Sequence, residues 1–170
     1  MGKNSRRMRN ERRRMQMALE EKPLFENGVP GLEKKGARAL HFDLVNDAKE
    51  IPEALIESIP DREYQVADFY SICAICLQDP LHLLFAMRNG SEEVKGLLWF
   101  NLNPLVGSIF VSAYAVDPEY RGGSIPYALE LIRKYHERFH FKGKIAWATT
   151  QPELYEKHGM KRSKFVVMEA

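Results

Sequence analysis

From residue 40 onward, apolar residues return at two different spacings, and the changes of spacing mark the elements. Leu40-His41-Phe42-Asp43-Leu44-Val45 alternates and predicts a short strand. Between residues 50 and 59, Ile51, Leu55, Ile56 and Ile59 fall at helical intervals, and Pro60-Asp61 ends that helix. Val66, Tyr70, Cys73 and Leu77 line one face of a second helix that stops near Asp79-Pro80. Leu81 to Met87 is an apolar run of strand length. Asn89-Gly90 signals a hairpin, here inside a slightly longer loop, and Val94 to Leu102 supplies the returning strand. A turn at Asn103-Pro104 leads to a long strand, Ser108 to Val116, whose alternation places Ser108, Ser112 and Tyr114 on one face. After the loop Asp117 to Gly123, the residues Ile125, Ala128, Leu129, Ile132, Tyr135 and Phe139 draw one apolar stripe along a helix over 125–139. Ser124 stands where a helix cap belongs. Pro126 fits the first turn, where its missing N–H has no helical partner. Lys134, Arg138 and His140 suit the negative C-terminal end. Lys144 to Ala148 then reads as a strand, Pro152 to Lys157 as a short helix ended by Gly159, and Phe165 to Met168 as a last strand.

This order is strand, two helices, an antiparallel meander, helix, strand, helix, strand. A helix between two neighbouring strands requires a parallel pair with a right-handed crossover. The pattern therefore predicts an α/β (α+β) domain with a mixed, mostly antiparallel sheet flanked by helices.

Charge divides the chain differently from hydrophobicity. Residues 1–22 hold eight basic and three acidic side chains, a net +5, among them Arg6, Arg7, Arg9, Arg12, Arg13 and Arg14. The whole chain carries +2, so the other 148 residues carry −3. The basic character belongs to an arm. Residues 1–22 lack aromatics and cannot build a core, although Gln16 to Glu21 favours helix. Residues 23–39, with Gly28, Pro30, Gly31 and Gly36, read as a linker, and 40–170 as the domain. No apolar run reaches the ~20 residues that span a bilayer. No apolar stretch of signal-peptide type follows Met1, and the cysteines Cys73 and Cys76 suggest no disulfide framework. The expectation is a cytoplasmic protein, or one inside a phage particle, with no membrane partner.

One segment carries chemistry. In Val116-Asp117-Pro118-Glu119-Tyr120-Arg121-Gly122-Gly123-Ser124-Ile125-Pro126, a strand feeds a glycine-bearing loop that opens a helix. Such a junction points free N–H groups outward, and the helix dipole favours an anion there. Here the chain resembles the GNAT N-acetyltransferase family, in which a strand ending in Val passes through Asp-Pro-x-Tyr into Arg/Gln-x-x-Gly-x-Gly/Ala and a helix. Leu154-Tyr155-Glu156-Lys157-His158-Gly159-Met160 is similar to the family's Tyr-Glu-Lys-x-Gly-Phe stretch, and Val166 to Glu169 to its closing strand. The likeness runs over residues 40–170.

The resemblance implies an enzyme that passes acetyl from acetyl-CoA to an amine by direct attack, with no metal. It implies that Val116, Arg121, Gly122, Gly123 and Ser124 hold the co-substrate, with an N–H on the strand ending at Val116 facing the oxyanion. Tyr155 would be the acid for the departing thiolate; a phenol of pKa about 10 suits that task. The loop is degenerate. Ser124 stands where the family has glycine and Pro126 where it has glycine or alanine. Proline gives no N–H, and a lost hydrogen bond to a charged group costs about 1.5–3 kcal/mol. The strand before the loop also offers no carboxylate base.

Plainer readings stand beside these. Tyr155 can pack its ring in the core. Cys73 and Cys76, on an apolar helix with no second pair, read as buried structural thiols. The arm is a solvated tail, a binder of nucleic-acid phosphates, or a docking element for an acidic protein surface. Three functions follow: the acetyltransferase, whose amine-bearing acceptor the sequence does not name; a catalytically silent GNAT-fold assembly protein, such as a virion component, anchored by its arm; and a nucleic-acid binder whose domain positions the arm.

Overall fold

The computed structural model describes residues 40–59, 65–121, 123–147, 149 and 151–162. The arm over 1–22 with its arginines, the linker over 23–39, the helix end at Pro60-Asp61, Gly122, and the strand expected from Phe165 to Met168 lie outside the described residues.

Strands β1 (His41–Val45), β2 (His82–Arg88), β3 (Val94–Asn103), β4 (Ser108–Val116) and β5 (Ile145–Trp147) form one sheet in chain order. The first three pairings are antiparallel and β4–β5 is parallel, as the crossover helix requires. The helices are α1 (Glu53–Glu57), α2 (Val66–Cys76), α3 (Ile125–Arg138) and α4 (Pro152–Glu156). This is a mixed α/β fold with a five-stranded, mostly antiparallel sheet flanked by helices, the expected class.

The sheet is covered on both faces, which is why β2 and β3 read as continuous apolar runs instead of alternating ones. On one face Phe85, Leu98, Phe100, Ile109 and Val111 meet Leu131, Ile132 and Tyr135 of α3. On the other, Leu84, Leu97 and Trp99 meet Ile51, Ile56, Phe69 and Cys73. Cys73 is fully buried, whereas Cys76 is half-exposed, so only one of the pair is a core thiol.

Two local expectations are corrected, and a third is met. The single helix over 50–59 is a 3₁₀ turn at Ala48–Glu50 followed by α1, because Ile51 precedes Pro52 and is pushed into extended dihedrals. Asn89-Gly90 sits, as expected, inside a slightly longer loop between β2 and β3. Asn89 is buried, and its Oδ1 accepts from the N–H groups of Ser91 and Glu93, widening the loop. Finally, Ser112 is an extra residue in β4: Trp99 pairs with Ala113 and Phe100 with Val111. That bulge switches the faces. Ile109 and Val111 pack toward α3 before it and Tyr114 and Val116 after it, while Ala113 and Ala115 turn to the α2 side. Tyr114 therefore does not share a face with Ser108.

Candidate functional site

The bulge also falls where β4 loses a neighbour. β5 pairs with β4 at Ile109, Phe110 and Val111 only, the last opposite Trp147. From Ser112 to Val116, β4 has a strand partner on its β3 side alone among the described residues. That stretch of β4 leads straight to the loop and α3.

Several contacts fix that loop. Asp117 donates its N–H to the Lys95 carbonyl at 2.8 Å, and its Oδ1 accepts from Glu119 N–H at 3.0 Å, capping a 3₁₀ turn at Pro118–Tyr120. Asn89 Nδ2 donates to the Tyr120 hydroxyl at 3.1 Å, tying the turn to the β2–β3 loop. Lys95 Nζ lies 5.9 Å from the Tyr120 ring centre. Arg121 donates from Nε to the Val116 carbonyl at 3.1 Å. Its guanidinium is thereby held beside the junction, with the remaining N–H groups of the fork as further donors.

At the start of α3, Ser124 does not act as the expected cap. It occupies the cap position, but in helical dihedrals (φ −85, ψ −25) and with no side-chain bond to the helix. The reason lies ten residues back. The Tyr114 hydroxyl donates to Ser124 Oγ at 2.6 Å, and Ser124 is only 8% exposed. Among the described residues, the N–H groups of Gly123, Ser124, Ile125 and Tyr127 have no hydrogen-bond acceptor. A Cβ placed on Gly123 would meet nothing within 4 Å, so the loop's outer side is open. The junction is an uncapped helix start beyond the end of that β4 stretch, suited to an anion by its donors and its dipole.

Tyr155, on α4, joins this group through aromatic contacts. Its ring lies 4.6 Å from that of Trp147, which meets Tyr114 edge-on at 5.1 Å. Burial raises the Tyr155 pKa above the ordinary tyrosine value, opposed by a hydrogen bond with Thr149. Burial also raises Tyr114, with the Ser124 bond opposing and the nearby Tyr155 adding to the rise. Both phenols therefore keep their protons through the neutral range. The structure thus gathers Val116, Arg121, Gly123, Ser124 and Tyr155, with Tyr114 and Trp147 between them. Gly122 is outside the described residues. Sequence reading missed Tyr114 as the link, because the bulge hid its direction.

With this geometry in view, comparison with solved structures is informative. The aminoglycoside 6′-N-acetyltransferase of Acinetobacter baumannii aligns with a TM-score of 0.62 at 14% identity, over 77% of this chain and 97% of that one. The fold is that of the GNAT acetyltransferases. Ribosomal-protein-alanine N-acetyltransferase from Brucella melitensis biovar Abortus 2308 gives a TM-score of 0.57 at 21% identity, covering 78% of this chain and all (100%) of that one. A further aminoglycoside N-acetyltransferase, solved in complex with CoA, gives 0.61 at 11% identity, covering 78% and 96%. By sequence, no protein-family model and no curated protein matches the chain.

Two other polar clusters lie away from this junction. His41, Asp43 and Glu92 bring possible metal ligands together, with His41 Nε2 3.4 Å from Asp43 and 3.6 Å from Glu92. Arg88 Nε already sits 3.1 Å from the same Asp43 oxygen, so the group reads as an ion-pair cluster at the edge strand. At the end of the sheet away from the loop, a cavity of about 310 Å³ opens between Asp79, His82, Asn101 and Leu105. No helix among the described residues is long and apolar enough to cross a membrane.

Proposed function

We propose that this chain is an acyl-CoA-dependent N-acetyltransferase that passes acetyl to an amine by direct attack. The observation that carries the reading is the set of N–H groups at the start of α3 that meet no acceptor among the described residues, at the end of a β4 stretch whose described strand pairing is with β3 alone. A diphosphate fits such a donor set, and an extended ligand arm fits a strand edge that lacks a partner. Likeness to acetyltransferases, one of them solved with CoA, supports the same reading.

Acetyl-CoA, when bound, supplies a thioester whose acyl carbon is open to an amine. The chain's own residues then divide the work. Gly123, Ser124, Ile125 and Tyr127 offer N–H groups to the diphosphate, and Arg121 adds positive charge beside Val116. N–H groups on that stretch of β4 would face the developing oxyanion, a placement worth several kcal/mol in other enzymes, about 2.7–4 for one donor. Tyr155, protonated at neutral pH, would give its proton to the sulfur as the C–S bond breaks and the C–N bond forms. The amine's proton leaves to solvent, since β4 carries no carboxylate before Asp117.

Calorimetry with acetyl-CoA on the intact chain tests the proposal. Binding is expected, with a rise in melting temperature of roughly 5–10 °C at a hundredfold excess over Kd. Absence of heat at millimolar acetyl-CoA overturns it.

A second reading draws on Pro126 and the missing carboxylate: a GNAT-fold protein without catalysis that serves assembly, anchored by the basic residues 1–22 on nucleic acid or an acidic protein surface. Removal of residues 2–22 should then abolish salt-sensitive retention on DNA. Retention unchanged by the deletion excludes nucleic acid as that anchor.

A further inference from the structure

The helix start raises a question that the loop motif does not answer. A serine at a cap position ordinarily takes extended dihedrals and accepts a hydrogen bond from the second or third N–H of its helix. In α3 the second residue is Pro126, which has no N–H, so the Tyr127 N–H is the donor that a capping Ser124 would consume. A side-chain cap on Tyr127 would also place an oxygen where an incoming anion must sit. Self-capping and anion binding at this junction are mutually exclusive uses of one N–H.

The structure shows Ser124 withheld from that use. Its oxygen takes the Tyr114 proton at 2.6 Å, its backbone is helical instead of extended, and Tyr127 N–H has no acceptor among the described residues. Tyr114 itself is braced by its neighbours. It lies on the α3 face of β4 because of the Ser112 bulge, and its ring is braced edge-on by Trp147. A phenol is a stronger acid than an alkyl hydroxyl and is the natural donor of the pair.

We infer that Tyr114 is a positioning residue that keeps the diphosphate cradle open by holding Ser124 away from the Tyr127 N–H. The inference rests on the proposal that this cradle binds CoA. It explains how a chain with serine at the glycine position of the loop, and proline two residues on, retains a usable donor.

The test is a double-mutant cycle read by calorimetry, with CoA and with pantetheine, which lacks the diphosphate. Tyr114→Phe frees Ser124 to cap the helix. CoA affinity should fall about fivefold, the size set by the worth of a serine cap, while pantetheine affinity stays put. In a Ser124→Gly background there is no side chain to cap with, so adding Tyr114→Phe should change CoA affinity less than twofold. Amide exchange at Tyr127 gives a ligand-free readout: it should slow in Tyr114→Phe and return in the double variant. An equal loss of CoA affinity in both backgrounds, or a matching loss for pantetheine, would mean that Tyr114 merely packs the strand, and the inference fails while the CoA reading stands. If the unaltered chain binds pantetheine but gains nothing from the diphosphate of CoA, the cradle reading and the inference fall together.

Discussion

Replacing Gly143 by alanine should loosen the junction between β4 and β5, and its cost can be worked from the structure. Gly143 sits just before β5, and its N–H donates to the Gly107 carbonyl at 2.7 Å. A Cβ built there would lie 2.5 Å from the Val106 carbonyl oxygen and 2.7 Å from that of Gly107. Both obstacles are main chain, so no side chain can swing aside. Gly107 is itself pinned in left-handed dihedrals (φ +61), which limits how the turn can yield. Overpacking of this kind costs about 1–3 kcal/mol. Stretching the 2.7 Å hydrogen bond adds about 1 kcal/mol. Together these amount to roughly 2–4 kcal/mol, or a fall of about 5–15 °C in melting temperature for a chain of this size. Gly90→Ala is the matched control, since a Cβ there meets nothing within 4 Å. It should stay within about 0.5 kcal/mol of the parent. Differential scanning calorimetry of the two variants decides the matter. If Gly143→Ala melts within a degree or two of Gly90→Ala, the close approach of the β3–β4 turn to β5 is not a constraint.

Other expectations follow from the site and the core. Tyr155→Phe should cut acetyl transfer while leaving CoA affinity unchanged; because burial raises its pKa, the midpoint of any alkaline fall in rate due to this residue should lie above the ordinary tyrosine value, and a midpoint near pH 8 would assign that limb to another group. Tyr135, 5% exposed, has its phenol pushed up to about 12 by burial. The unfolded chain loses that proton near pH 10 and the folded chain does not, so the contribution is intact below pH 10 and shrinks by roughly 2–3 kcal/mol as pH climbs toward 12. Urea titrations of Tyr135→Phe should show a correspondingly flatter alkaline decline, and an unchanged slope refutes the assignment. Cys73 is fully buried with its thiol raised to about 12, whereas Cys76 is half-exposed. A thiol reagent should label at most one cysteine in the native protein and both after unfolding; two equivalents in the native state would contradict the burial of Cys73.

The sequence was most legible where one period persists. The stripe from Ile125 to Tyr135 specified α3 closely, and the apolar runs through Leu83–Met87 and Leu97–Phe100 marked the two strands buried on both faces. The loop motif at Val116–Ser124 and the distant Tyr155 pointed to one neighbourhood, and the structure brings their described members together through Trp147 and Tyr114. Failures came from effects that local pattern does not encode. A single inserted residue at Ser112 leaves the alternation of β4 superficially intact yet reverses which side Tyr114 faces. Cap preference assigned Ser124 to its own helix, but a partner ten residues upstream outcompetes a local N–H. Pro52 was read inside a helix although the residue before a proline resists helical dihedrals, and that signal was available.

The extra residue at Ser112 is a position that the rest of β4 does not depend on for its facing. Its side chain is exposed, so most substitutions there should pass with little effect. Deleting it would leave Val111 opposite Phe100 and Ala113 opposite Trp99 as ordinary neighbours, so every side chain from Ala113 to Val116 would keep its side and only the local kink would be lost. Pairing Ser112 itself with Trp99 would instead turn the alanines toward α3 and drive tyrosine and valine into the space now filled by Ala113 and Ala115. Descendants of this chain can therefore change that position in letter, or lose it, so long as Ala113 keeps its place opposite Trp99.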